Sequence, residues 1–171
     1  MNYFAYGSNI NLDHLSDYLS THGVSIDTEL QAEAARLEGY ALRTNYFASS
    51  HRAGACNIEP AADHHVEGVV MAITPAIRDA LRLKEGFPLR YHEIEVIVRT
   101  ASTQEPVRAV TYVVTTTHRL DVDLPVTVRY RRLILAGAKQ FNFSESYQRE
   151  LHQRLWTAPS LLTIPSQDVS L

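Results

Sequence analysis

Residues 66–74, VEGVVMAIT, constrain the fold more than any other stretch of the chain. Val66, Val69, Val70, Met71 and Ile73 put apolar side chains on both faces, the pattern of a central strand buried on each side. Thr74-Pro75 follows without a loop. Threonine at the N-cap and proline at the first helical position are helix-start signals, and Gly86 is the matching stop. The helix between them, residues 75–84, buries Ile77, Ala80 and Leu81 on one side.

The other segments read around that strand-helix unit. Residues 3–6 form a short aromatic strand ended by Gly7. Asn9 or Asn11 caps a following helix, in which Leu12, Leu15 and Leu19 share a face before Gly23. In residues 37–46, Tyr40, Leu42, Thr44 and Tyr46 lie on one side at period two, a strand pattern. Residues 55–58 read as a strand closed by Pro60. Residues 91–98 alternate Ile94, Val96 and Val98 with Glu93 and Glu95, as a half-exposed strand does. Residues 107–116 are a β-branched strand containing Tyr112. One helix follows Pro125, and Ser144 begins another with Tyr147, Leu151 and Leu155 stacked four apart. Segregated strands with helices to one side predict an α+β domain whose mixed sheet curls into a small barrel flanked by helices. Periodicity by itself leaves closure of that barrel open.

A chain of 171 residues, 45% hydrophobic, suits one domain over residues 1–156. The tail, residues 157–171, carries Pro159 and Pro165 and is expected to wrap the surface or move freely. With 20% charged residues and a net charge of -3, no nucleic-acid partner or anionic membrane surface is expected. Arg129, Arg131 and Arg132 interleave with Val126, Tyr130, Leu133 and Ile134 at helical spacing, so they read as the solvated face of an amphipathic helix. The first residues lack a basic segment and a long apolar run, which makes a cytoplasmic location the expectation. The single cysteine, Cys56, excludes an internal disulfide and reads as a small core hydrophobe. His64 and His65 are adjacent and point to opposite faces of an extended chain; with no H-E-x-x-H or C-x-x-C, neither a metal nor another cofactor is expected.

Two features could carry chemistry. Gly7 after an aromatic strand opens backbone conformations closed to other residues and allows close approach of a ligand. With Ser8 and Asn9 it leads into a helix N-terminus, where N–H groups favour a carboxylate or a developing oxyanion. The same pattern also fits an ordinary capped turn. Glu85 ends its helix just before the terminating glycine, and there the helix dipole and any burial disfavour the charged form. A carboxyl so placed can take and return a proton near neutral pH, whereas on an open surface it is only a solvated acid. Ser8 lies outside any G-x-S-x-G elbow, which argues against a serine nucleophile.

Read in order, YFAYGSN (3–9), GACNIEP (54–60), VEGVVMAIT (66–74), LRLKEG (81–86) and YRRLILAGAK (130–139) resemble the successive motifs of the γ-glutamylcyclotransferase family. The resemblance runs from Tyr3 to about Leu155. It implies Glu85 as the catalytic acid/base, and the loop Tyr6-Gly7-Ser8-Asn9 with Tyr91, Tyr112 and Tyr130 as the substrate pocket. It further implies cofactor-free cyclisation of a γ-glutamyl amide to 5-oxoproline with release of the amine. Four departures stand out. Arg82 replaces the family's aspartate in L-D-x-x-E-G, and the Glu85–Tyr91 interval is one residue short. Asn142 replaces a common glycine, and YGSN stands in place of the YGSL of the glutathione-specific branch. The choice of amine would fall to the loops at residues 48–54 and 119–125. A binding protein for γ-glutamyl or carboxylate ligands on the same scaffold is the alternative, and a pure interaction domain would leave Glu85 exposed with an ordinary pKa.

Overall fold

The computed structural model describes residues 1–24, 31–50 and 52–157. Strand β1 (Asn2–Ala5) leads through a 3₁₀ turn (Ser8–Ile10) into helix α1 (Leu12–Thr21). Strands β2 (Ala32–Ala48) and β3 (Ala53–Ala72) precede helix α2 (Pro75–Glu85). Strands β4 (Tyr91–Thr100) and β5 (Pro106–Val114) are followed by helices α3 (Val128–Gln140) and α4 (Glu145–Arg154). The strands close a barrel in the order β1-β3-β2-β4-β5. Every pairing is antiparallel except the one that seals the barrel, where β1 meets β5 in parallel at Tyr3 and Val110. The sheet is therefore mixed, flanked by helices, and closed.

Helix boundaries follow the local signals. Thr74 Oγ1 accepts the Ile77 N–H at 3.2 Å, Pro75 opens α2, and Gly86 ends it at φ 68°. That left-handed conformation suits a residue without a Cβ. Thr127 and Ser144 cap α3 and α4 in the same way. Asn11, rather than Asn9, caps α1 by accepting the His14 N–H at 3.0 Å. Asn142 takes the left-handed conformation (φ 51°) in place of a glycine. Arg129 and Arg132 lie exposed on α3, and Arg131 bonds His152 of α4, so this basic stretch is a helix face.

The strands correct one expectation. Residues 37–46, 55–58 and 66–73 are parts of only two long strands, β2 and β3, paired as one hairpin. Pro60 does not end a strand; it pairs with Tyr40 inside β3 at a register shift. A bulge tolerates proline because the ladder there does not need its missing N–H. The core fills the barrel and the underside of the helices, with Phe4, Leu15, Val66, Leu81 and Ile134 all inaccessible to water. Apart from Thr157, the expected C-terminal tail lies outside the described residues. No described helix is long and apolar enough to cross a membrane. Among the described residues no group of three or more His, Cys, Asp or Glu could hold a metal ion.

Candidate active site

At one end of the barrel, β1 delivers Tyr6 and Gly7 into the 3₁₀ turn, and α2 ends beside them at Glu85. The turn's own hydrogen bonds begin with Ile10 N–H donating to the Gly7 carbonyl at 3.1 Å. The N–H groups of Ser8 and Asn9 come before that first bond, as at any helix start. Because Asn11 is the cap of α1, the Asn9 side chain is free for another role. Its Nδ2 donates to Glu85 Oε1 at 3.0 Å and to the Tyr3 hydroxyl at 2.9 Å. Asn9 Oδ1 is buried with no partner among the described residues.

These groups line a cleft with about 840 Å³ of empty space, counting its open mouth and the solvent in it. The structure brings all eight sequence-predicted residues to that cleft: Tyr6, Gly7, Ser8, Asn9, Glu85, Tyr91, Tyr112 and Tyr130. Gly7, however, has φ -103°, on the negative side that any residue can adopt. Its lack of a side chain matters for space instead. A Cβ there would stand 3.1 Å from the Tyr130 hydroxyl and 3.4 Å from the Cys56 Cβ.

Glu85 as a whole residue is only partly buried, because the cleft opens beside it, but its carboxyl is enclosed by protein. Burial raises its pKa above the ordinary glutamate value, opposed by the neighbouring Lys84 cation and the Asn9 hydrogen bond. Lys84 is a site residue that sequence reading missed. Its Nζ is buried without a hydrogen-bond partner among the described residues, 4.8 Å from the centre of the Tyr18 ring. Burial lowers its pKa, and Glu85 raises it. Tyr3, Tyr46, Cys56 and Arg90 were also missed as lining residues. A K-E pair before a stopping glycine could have flagged Lys84; nothing in the sequence marks the others.

The tyrosines are held by specific bonds. Tyr91 O–H donates to the Cys56 carbonyl at 2.9 Å, and Tyr130 accepts the Cys56 N–H at 3.1 Å. Tyr6 O–H donates to the Tyr112 carbonyl, and Tyr112 O–H donates to Glu93 at 2.9 Å. Burial, foremost, raises the pKa of each of these phenols, so they stay protonated. Cys56 is pushed up to about 12, again mainly by burial. Its thiol is thus a protonated wall of the cleft and a poor nucleophile.

Arg82 does not touch Glu85. Together with Arg78 it forks onto Glu93, with N–O distances of 2.6–3.0 Å from Arg78 and 2.8–3.0 Å from Arg82. The hydrogen bonds from Arg78 lead in holding Glu93 down to about 2. The replacement of the family's aspartate is therefore absorbed by Glu93, while Asn9 holds Glu85.

Residues 65–151 match the AIG2-like family. The chain belongs to that family. No curated protein matches the sequence. Solved structures extend the likeness to the whole barrel. A γ-glutamyl cyclotransferase superposes with a TM-score of 0.78 at 22% identity, over 94% of this chain and 90% of that one. An uncharacterised protein from Homo sapiens gives 0.78 at 22%, covering 93% and 90%. A glutathione-specific γ-glutamyl cyclotransferase from yeast gives 0.63 at 12%, covering 91% and 95%. At these identities the likeness establishes the fold, which this AIG2-like chain shares with γ-glutamyl cyclotransferases.

Proposed function

We propose that this AIG2-like protein cyclises a γ-glutamyl amide to 5-oxoproline and releases the free amine, with Glu85 carrying protons. The observation that carries the reading is Glu85 itself: a carboxyl enclosed in a tyrosine-walled cleft, raised in pKa by burial, and held by Asn9 of the YGSN loop at 3.0 Å. An exposed surface acid of ordinary pKa, as a pure interaction domain would have, does not fit these facts.

The chemistry follows from the substrate. Its α-amine and γ-carbonyl are in one molecule, so a cleft that folds the chain removes much of the entropic barrier. Ionised Glu85 takes a proton from the α-ammonium, and the freed nitrogen attacks the γ-carbon. A C–N bond forms while the carbonyl π pair moves to oxygen. When that pair returns, the original amide C–N bond breaks and its electrons leave with the departing nitrogen, which is protonated by Glu85. Of the three protons on the ammonium, one stays on the lactam and two end on the released amine. No external oxidant or reductant is needed. N–H groups of the Gly7-Ser8-Asn9 loop favour the anionic groups of the substrate and the tetrahedral oxygen.

The test is 5-oxoproline release from a panel of γ-glutamyl amino acids and amines. Release from at least one of them supports the reading, and a panel with no release would leave a binding role as the better account.

The pH profile supplies a second check. Glu85 must be ionised to take the first proton, so kcat/KM rises with pH through the pKa of the free enzyme's Glu85. That ascending limb lies above the ordinary glutamate range, because burial outweighs Lys84 and Asn9. Lys84→Met keeps the aliphatic stem and removes the cation that favours ionised Glu85. The limb is expected to move about one unit to higher pH. An unmoved limb would show that Lys84 does not act on the proton carrier.

A further inference from the structure

We infer that Tyr130 is the side chain that donates a hydrogen bond to the γ-carbonyl oxygen as it becomes an oxyanion, an assignment resting on the cyclotransferase reading above. The argument is one of proton polarity. A phenol has one proton to give and lone pairs to receive. Tyr6 has committed its proton to the Tyr112 carbonyl, Tyr91 to the Cys56 carbonyl, and Tyr112 to Glu93. Towards a ligand these three can only accept. Tyr3 and Tyr130 are the reverse: each receives an N–H, from Asn9 Nδ2 and from Cys56 N respectively, and donates to no oxygen or nitrogen among the described residues, the Tyr130 proton having only the Cys56 sulfur, a weak acceptor, beside it.

Position separates the two donors. The Tyr3 hydroxyl is 2.9 Å from Asn9 Nδ2, the atom that also reaches Glu85 at 3.0 Å. Tyr3 therefore stands on the proton-transfer side, where the nitrogens must be. The Tyr130 hydroxyl stands over Gly7, in the space a Cβ would crowd to 3.1 Å. That places the phenolic hydroxyl beside the loop, on the wall of the cleft that Glu85 also lines. The reacting carbon needs its nitrogens at Glu85 and its oxygen at other donors, and Tyr130 is the phenol that stands with the loop at Gly7, whereas Tyr46, which also lines the cleft, packs against Tyr91 and His118. The N–H that Cys56 donates into Tyr130 also polarises its O–H and strengthens the outgoing bond. The phenol remains neutral, since burial raises its pKa, so it stabilises the oxyanion without giving up its proton.

Cys56 offers an internal control. Its peptide group is held by two phenols of opposite polarity, Tyr130 at the N–H and Tyr91 at the carbonyl. Tyr130→Phe and Tyr91→Phe each remove one bond to that peptide, but only the first removes a donor to the ligand. With a γ-glutamyl amide that the parent turns over, Tyr130→Phe is expected to lower kcat by about 100-fold or more, with KM within a few-fold. Tyr91→Phe should lower kcat less than about tenfold while lowering the melting temperature comparably. Equal kcat losses in the two variants, or a Tyr130→Phe defect confined to KM, would overturn the assignment. Should Tyr130→Phe fail to fold, difluorotyrosine at 130 keeps the oxygen that accepts from Cys56 and makes the phenol a stronger donor. A larger change in kcat at 130 than for the same replacement at 91 supports the donor; no change at 130, or an equal change at both positions, rejects it. A parent that releases no 5-oxoproline from any amide removes the cyclotransferase reading, and this assignment with it. Activity in the parent and in Tyr130→Phe alike removes the assignment alone.

Discussion

Glu85→Gln is expected to lower 5-oxoproline release by roughly 10²–10⁴-fold, the usual contribution of a positioned proton carrier, while leaving the protein at least as stable at neutral pH. Glutamine is nearly isosteric and its carbonyl can still accept from Asn9 Nδ2, which now reaches Glu85 at 3.0 Å. It cannot shuttle a proton. The stability half follows from the direction of the pKa shift. Burial raises the pKa of Glu85 in the folded state, so the folded protein holds this proton more tightly than the unfolded chain. Stability is then full below the unfolded pKa and is lost as pH rises through the folded value. Above that value the parent carries the whole cost of an enclosed charge, and the glutamine variant carries none. Thermal melting should therefore place the variant level with or above the parent at pH 7, with the gap closing below the ordinary glutamate pKa. Turnover within a few-fold of the parent would remove Glu85 from the mechanism. A lower melting temperature at pH 7 would mean that the carboxylate stabilises the fold, contrary to the burial argument.

The site was legible in the sequence where its signals are local. Thr74-Pro75 and Gly86 bound α2 by capping chemistry that involves only neighbouring residues, and this fixes Glu85 at the helix end. The period of the apolar residues gave strand and helix faces for the same reason. What the sequence did not carry was distance along the chain. Closure depends on Tyr3 meeting Val110 in parallel, and the long β2–β3 hairpin depends on a bulge that accommodates Pro60. Neither leaves a local trace. Asn9 and Asn11 are equivalent as caps on paper, and only the fold decides that Asn11 caps and Asn9 reaches Glu85. Arg82 shows the same limit: its partner Glu93 lies on a different element, β4. Gly7 was read as a conformational glycine, whereas the crowding by Tyr130, 123 residues later, is what requires it.

Gly68→Ala should be the most damaging single methyl added to the barrel. A Cβ at Gly68 would fall 2.3 Å from the Ala5 carbonyl oxygen and 2.5–2.6 Å from two ring atoms of Phe4. These neighbours have little freedom to retreat. Phe4 is fully buried, its carbonyl accepts the Thr111 hydroxyl at 2.8 Å, and β1 is paired along all four of its residues with β3. Relief must come from moving β1 itself, at a cost of about 3 kcal/mol for overpacking of this kind. In a domain of this size that lowers the melting temperature by roughly 6–12 °C. The damage should also reach the site, since β1 runs directly into Tyr6-Gly7-Ser8-Asn9. Turnover should fall even at temperatures where the variant is fully folded. Gly23→Ala is the informative comparison. Gly23 has φ 70° but no atom of the described residues within 4 Å of a would-be Cβ, so among them only backbone strain of about 1–2 kcal/mol applies, and it does not line the cleft. Gly23→Ala should melt somewhat lower with kcat intact, whereas Gly68→Ala should lose both. If Gly68→Ala instead melts within a couple of degrees of the parent and turns over normally, β1 yields to crowding and does not hold the loop in place.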